Sequence, residues 1–264
     1  MSQSSDTISG QRTAIVTGAA SGIGRAIAQR FARDGLAVLC ADLNEAGVIA
    51  MAADLTAAGH TALGIHVDVA DEASVGAMAK RAIVWTGRID TVAANAGVMV
   101  EGDILSISLA DWNHALGINA TGAFLTARAV MPHLLKVRGG TLVFTASTVG
   151  LVGTKGTAAY SASKGAVIAL TRQLAADYAA RGVRVNAVAP GAVRTPLSEQ
   201  QFRARATDDI HYAELLQQLI NRYPISRWGT PEEIAEIVAF LASDRSSWMT
   251  GQIIPVDGGL LELR

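Results

Sequence analysis

The run Thr13-Ala14-Ile15-Val16-Thr17-Gly18-Ala19-Ala20-Ser21-Gly22-Ile23-Gly24 opens as a short β-rich stretch and closes on three glycines. Apolar residues at helical spacing follow from Gly24 to Arg33. Glycine lets a backbone turn tightly and come close to a pyrophosphate, which then sits among free N–H groups at a helix N-terminus. The spacing Gly-x-x-x-Gly-x-Gly is one residue longer than the G-x-G-x-x-G dinucleotide fingerprint. Glycines cap and connect elements everywhere, but this turn lies between a first strand and a first helix. That placement predicts a dinucleotide phosphate site built from Gly18, Ser21, Gly22, Ile23 and Gly24.

Outward from this turn the same rhythm repeats. Strands are predicted at 13–17, 37–41, 62–67, 91–94, 141–145, 184–188 and 252–256. Their near-continuous apolar character suits strands covered on both faces, as in a parallel sheet. Helical spacing marks 24–33, 45–58, 72–85, 109–135, 159–180 and 231–242. Strand and helix in alternation predict an α/β fold, a doubly wound parallel sheet flanked by helices. No linker or low-complexity stretch divides the chain, so one domain is expected over 11–264, after a flexible N-terminus at 1–10. One stretch breaks the rhythm. Residues 195–229 are polar, with helical pieces but no strand, and follow the C-terminal end of a strand, where open α/β sheets bind ligands. A substrate lid is expected there, against the plainer reading of a surface insertion.

Asp42 ends the second strand, 18 residues after Gly24. A carboxylate there can accept hydrogen bonds from both adenosine ribose hydroxyls of NAD and would repel the extra phosphate of NADP. Leu43, not an arginine, comes next. The competing role for Asp42 is as a cap of the next helix, a job Asn44 could also take. Asp68, at the end of the third strand, could meet the adenine amino group or cap a helix, and spacing alone leaves both open.

Composition closes off other classes. Half of the residues are hydrophobic and 17% are charged, which argues for a packed core and against long disorder. A net charge of -1 provides no basic field for nucleic acid or an anionic membrane. No apolar run is long enough for a membrane span. A lone Cys40 in an apolar run and a polar, Ser-rich start without a signal core point to a reducing cytoplasm. His60, His66, His114, His133 and His211 are scattered, with no pair at metal-ligand spacing, so no metal site is predicted. Ser147 lies in Thr-Ala-Ser-Thr-Val, without the G-x-S-x-G elbow of a serine hydrolase.

Tyr160 and Lys164 stand four residues apart in a helical segment, on one face. Hydride leaving a carbinol carbon requires the hydroxyl proton to leave as well, so a base is needed. Free tyrosine, with a pKa of about 10, is a weak base near neutrality. A cation about 4 Å away is worth up to about 4 kcal/mol at an effective dielectric near 20, roughly three pKa units. Ser147, thirteen residues before Tyr160, can hydrogen-bond a substrate oxygen and polarise a ketone, or merely end a strand.

Together these pieces carry a resemblance. Thr17 to Gly24, Asp68-Val69, Asn95-Ala96-Gly97, Asn119, Ser147, Tyr160-Ser161-Ala162-Ser163-Lys164, Asn186, Pro190-Gly191 and Asp257-Gly258-Gly259 occur in the order and spacing of the short-chain dehydrogenase/reductases. The chain resembles the NAD-preferring members of that family from 12 to about 259. The resemblance implies a Rossmann-type domain with a seven-stranded parallel sheet and direct hydride transfer between a nicotinamide and a substrate carbon. It implies that Asn119, Ser147, Tyr160 and Lys164 are catalytic, with Asn119 anchoring a proton-relay water. Lys164 would also hold the nicotinamide ribose. Asn95, Ala96 and Gly97 would support the sheet beside the adenine, while Pro190, Gly191, Val193 and Thr195 would hold the carboxamide.

The substrate is then expected to be a secondary alcohol (aliphatic, alicyclic or polyol) or its ketone. Val149, Leu151, Val152, Ala192 and Leu197 join Ser147 and Tyr160 as pocket positions. A homotetramer is implied by resemblance. The alternatives are a 3-oxoacyl thioester reductase, for which Arg194, Arg203, Arg205 and Arg222 could meet an acidic carrier, and a non-catalytic dinucleotide-binding redox sensor.

Overall fold

The structure, a computed structural model, describes residues 10–263; the N-terminal flexibility expected for 1–10 therefore lies almost wholly outside the described residues. Strands and helices alternate. They run β1 (Thr13–Thr17), α1 (Gly22–Arg33), β2 (Ala37–Asp42), α2 (Glu45–Ala57), β3 (Ala62–His66), α3 (Glu72–Thr86) and β4 (Thr91–Ala94). There follow α4 (Leu109–Leu116), α5 (Gly122–Leu134), β5 (Thr141–Thr145), α6 (Ala158–Tyr178) and β6 (Arg184–Pro190). The chain ends with α7 (Pro196–Arg205), α8 (Asp209–Ile220), α9 (Pro231–Ala242) and β7 (Ile253–Val256).

All seven strands are parallel, in the order β3-β2-β1-β4-β5-β6-β7. The order reverses between β1 and β4, and the crevice at that switch point is where such sheets take ligands. Side-chain alternation along the strands builds two cores. In β1, Ile15 points into the core shared with Val75 and Met78 of α3, Leu125 and Val130 of α5 and Val167 of α6. Its neighbours Ala14 and Val16 face the other core, with Ile27 and Phe31 of α1, Val48 and Met51 of α2 and Ile234 and Val238 of α9. Cys40 is fully buried in that second core, and burial pushes its thiol up to about 12, which leaves it an inert packing group.

Helix starts follow local rules. Asn44, Asp71, Ser108, Asp208 and Thr230 each accept a first-turn N–H through their side chains, and Pro196 and Pro231 occupy first-turn positions. Most strand boundaries lie within two residues of the sequence reading. Two departures matter. The third strand ends at His66, so Asp68 stands in the loop beyond it. The single helix expected over 109–135 is interrupted by a π-helical turn, Gly117–Thr121, in which Gly122 N–H reaches back five residues to Gly117 C=O. Asn119 sits in that wider turn, a feature frequent at functional sites. No helix among the described residues is long and apolar enough to cross a membrane.

Candidate active site

The glycine turn lies at the C-terminal end of β1, and its glycines serve different physical ends. Gly18 and Gly22 adopt positive φ of 69° and 53°. A Cβ on Gly24 would lie 1.9 Å from the Gly18 carbonyl oxygen, so only glycine lets α1 start so close to the turn. Ser21 precedes α1, but its side chain makes no capping bond, and no acidic residue occupies the first turn. The first N–H groups of α1 thus lack an acceptor from their own cap, which fits a phosphate at this end of the helix. Ile23 anchors the turn by packing on the second core.

Asp42, at the end of β2, accepts the Ala20 N–H and the Asn44 N–H, both at 2.9 Å. Asn44 caps α2, so the capping role does not fall to Asp42. The carboxylate is pinned beside the glycine turn, next to the exposed Leu43. Asp71 likewise takes the cap of α3, while the Asp68 carboxylate accepts the Ala70 N–H at 2.8 Å. Val69 is buried against Gly122, where a Cβ would meet its Cγ2 at 2.9 Å. Across the switch point, Asn95 ties three strand ends together. Its amide donates to Thr17 C=O at 3.2 Å and accepts the Thr145 hydroxyl at 3.1 Å, while Thr17 Oγ1 accepts the Asn95 and Ala96 N–H groups.

Asn119, Ser147, Tyr160 and Lys164 converge beside this network. The buried Asn119 amide accepts the Val98 N–H at 2.8 Å and donates to Val98 C=O at 2.8 Å and Ser163 Oγ at 2.9 Å. Ser163 Oγ in turn donates to Tyr160 C=O at 2.8 Å, so the π-turn is tied to the turn of α6 that bears the phenol. Gly97 marks the meeting point: a Cβ there would lie 3.0 Å from Asn119 Oδ1 and 3.3 Å from Lys164 Nζ. Ser147 follows β5 and opens a short 3-10 turn, Thr148–Gly150, that packs directly on α6 at Lys164.

Burial sets the electrostatics of the Tyr160–Lys164 pair. Lys164 Nζ donates to Thr145 C=O at 2.7 Å and stands 5.7 Å from the centre of the Tyr160 ring. Burial raises the Tyr160 phenol above its ordinary value, and the Ser147 hydroxyl facing it offsets part of that rise. Burial also presses the Lys164 ammonium down from 10.5 to about 8. The depressed value has a stability consequence. Below about 8 the lysine is charged in both the folded and unfolded states, and the folded state carries the full desolvation handicap; between 8 and 10.5 the handicap fades. Lys164→Met is expected to stabilise the fold at neutral pH by roughly 2 kcal/mol, once the lost bond to Thr145 is set against the removed charge. Urea unfolding near neutrality and near pH 10 checks this: the gain should shrink at the higher pH, and a gain that grows there would contradict it.

On the far side, β6 ends at Pro190 and leads into Gly191, Ala192 and Val193. Thr195 starts α7 and seats its methyl so close to Gly22 that a Cβ on that glycine would lie 3.2 Å from Thr195 Cγ2. Sequence reasoning missed Tyr223. This buried residue at the end of the 195–229 segment accepts the Ala192 N–H through its hydroxyl at 2.8 Å, and a Cβ on Gly191 would lie 3.0 Å from both its ring and Asp257. In the sequence Ser163 stands only as one position of the Tyr160–Lys164 motif; its bridge between Asn119 and Tyr160 depends on a contact 44 residues apart. Of the apolar pocket positions, Val149 and Ala192 are partly buried, Leu151 packs on the core, and Val152 and Leu197 are exposed.

The parallel sheet and the glycine turn beside its switch point make this a Rossmann-type domain. Residues 18–261 match the family model described as Enoyl-(Acyl carrier protein) reductase. The chain is 41% identical to cis-4-hydroxycyclohexanecarboxylate dehydrogenase of Sinomonas cyclohexanicum, over 94% of this chain and 96% of that protein. It is 34% identical to 3-oxoacyl-(acyl-carrier-protein) reductase of Thermotoga maritima, over 95% and 98%. The ligand-free structure of Thermoplasma acidophilum aldohexose dehydrogenase superposes with a TM-score of 0.85 at 33% identity, covering 95% of this chain and 94% of that one. The chain belongs to the short-chain dehydrogenase/reductase family, oxidoreductases that use a nicotinamide cofactor on CH–OH groups.

Proposed function

We propose that this protein interconverts a secondary alcohol and its ketone with NAD(H), and that Tyr160 carries the proton. The observation that carries the reading is the gathering of Asn119, Ser147, Tyr160 and Lys164 from three chain segments, with Gly97 against Asn119 and Lys164, beside a glycine turn that fits a pyrophosphate. A structural pair on a solvated helix face would not bury a lysine to 4% exposure against a strand carbonyl. Oxidised nicotinamide, when bound, supplies the hydride acceptor and a positive charge.

Tyr160 takes the hydroxyl proton in oxidation and returns it in reduction. Ser147 holds the substrate oxygen. Lys164 holds the nicotinamide ribose and favours the phenolate, and it passes on the proton it can release near pH 8. The Asn119 side chain, with both amide hydrogens committed to Val98 and Ser163, fixes the π-turn against α6, and Asn119 would anchor the proton-relay water there through an acceptor oxygen. Gly18, Ser21, Gly22, Ile23 and Gly24 would hold the phosphates, and Asp42 and Leu43 the adenosine ribose. Asp68 and Val69 would meet the adenine, and Asn95, Ala96 and Gly97 would support the sheet beside it. Pro190, Gly191, Val193 and Thr195 serve the carboxamide. The pinned Asp42 carboxylate supports NAD over NADP.

Val149, Ala192 and Leu197 give the cleft an apolar lining suited to an aliphatic, alicyclic or polyol substrate; the relatives include dehydrogenases of an alicyclic alcohol and of an aldohexose. A carrier-bound thioester is less well served. Arg194, Arg203 and Arg205 each already pair with a carboxylate, of Glu199, Asp209 and Glu101. We also propose a homo-oligomer through α4 to α6, where Leu109 and Phe124 are exposed, working in the cytoplasm. The test is formation of reduced nicotinamide from NAD+ or NADP+ across secondary alcohols, polyols and hydroxyacyl thioesters. Turnover with NAD+ on an alcohol supports the reading; turnover only with NADP+ on a thioester overturns it.

A further inference from the structure

The segment after β4 is fastened at both ends to the groups assembled around Tyr160. At Val98 both backbone groups bond the Asn119 amide, at 2.8 Å each. At Gly102 the N–H donates to Gly156 C=O at 2.9 Å and the C=O accepts the Ala158 N–H at 3.1 Å, two residues before Tyr160. Met99, Val100 and Glu101 are thus a strap slung between the π-turn and the start of α6.

Helix α7 grips this strap from the other side. Gln201 Nε2 donates to Met99 C=O at 3.5 Å. One turn on, Arg205 makes a two-point ion pair with Glu101, with Nε donating to Oε2 at 2.9 Å and Nη2 meeting Oε1. Residues four apart share a helix face, so both contacts are made by one side of α7. The Phe202 ring lies 5.1 Å from the Arg205 guanidinium and packs edge-on against Trp228 at 5.4 Å, which holds the arginine in place. Other described ion pairs of α7 and α8 are local, such as Arg203 with Asp209. Neither helix contains a fully buried residue. A segment with so little burial opens at low cost in free energy, and a few contacts decide where it rests.

We infer that the Glu101–Arg205 pair is the latch that keeps α7 closed over the cleft, which makes both residues positioning residues for the reaction at Tyr160. The latch rests on the proposed function for its catalytic consequence, but not for its effect on the lid. In the full-length protein, Glu101→Gln and Arg205→Gln are compared with the reversed pair Glu101→Arg plus Arg205→Glu. Chymotryptic cleavage within α7 and α8, measured without ligand, reads lid opening. A partly exposed pair (41% and 34% side-chain exposure) supports roughly a 3- to 5-fold rise in cleavage for each single variant. KM for the alcohol should rise by a similar factor, with kcat within about 2-fold, because the pair does not touch the reacting atoms. The reversed pair should bring both values back toward wild type. Single variants that leave cleavage unchanged, or a reversed pair no better than either single, would overturn the latch. Wild-type protein without turnover on any alcohol would instead sink the proposed function, and the cleavage comparison would still decide the latch.

Discussion

Tyr160→Phe is expected to lower turnover by about a thousandfold or more while leaving NADH affinity within about 2-fold. The substitution removes one oxygen and keeps the ring that packs at the start of α6. Positioned acid–base groups contribute about 10²- to 10⁴-fold, which sets the size of the expected loss. The pH dependence follows from the direction of the shift. Burial raises the phenol, so the basic form needed for alcohol oxidation grows only as the medium becomes alkaline. Oxidation should therefore rise from neutral to alkaline pH, and ketone reduction, which needs the protonated phenol, should fall over the same range. Stopped turnover with intact NADH binding matches this role; wild-type-like turnover of Tyr160→Phe would remove Tyr160 from the mechanism.

Asp42→Ala should change the choice of cofactor. Hydrogen bonds to a charged partner are worth about 1.5–3 kcal/mol, so losing those to the ribose should cut kcat/KM for NAD by about 10- to 100-fold. Removing the negative charge should also raise kcat/KM for NADP. Because Asp42 additionally accepts the Ala20 and Asn44 N–H groups, part of the loss could come from a loosened turn. Asp42→Asn separates the two: it keeps an acceptor oxygen and removes the charge, so it should relax the preference with less loss of NAD activity. A wild type that already prefers NADP, or an alanine variant with an unchanged ratio, would contradict the role of Asp42.

Much of this architecture is legible in the sequence because it rests on local rules. Short apolar runs and helical spacing reveal the alternation, and a glycine turn between β1 and α1 marks the switch-point crevice. What stays hidden depends on contacts distant in sequence. Nothing in 109–135 announces that Gly117–Thr121 widens into a π-turn; the turn makes sense only with the Asn119 amide already bound to Val98 and Ser163. Tyr223 has no motif, and its bond to Ala192 forms only when the end of the 195–229 segment folds back on the residues after β6. The capping ambiguities at Asp42 and Asp68 are resolved by neighbours, Asn44 and Asp71, that spacing could not rank. The bond from the Lys164 ammonium to Thr145 C=O is likewise invisible in the Tyr160–Lys164 spacing, because it joins positions 19 residues apart.

The central claim is that a hydride passes directly from a substrate carbon to a nicotinamide at this site. The most direct measurement uses secondary alcohols carrying deuterium on the carbinol carbon, incubated with NAD+ and the wild-type protein, followed by mass analysis of the nicotinamide. Direct transfer predicts one deuterium in the reduced cofactor, and none with Tyr160→Phe. Reduced nicotinamide without the label, or NAD bound with no reduction by any of the alcohols, would contradict it.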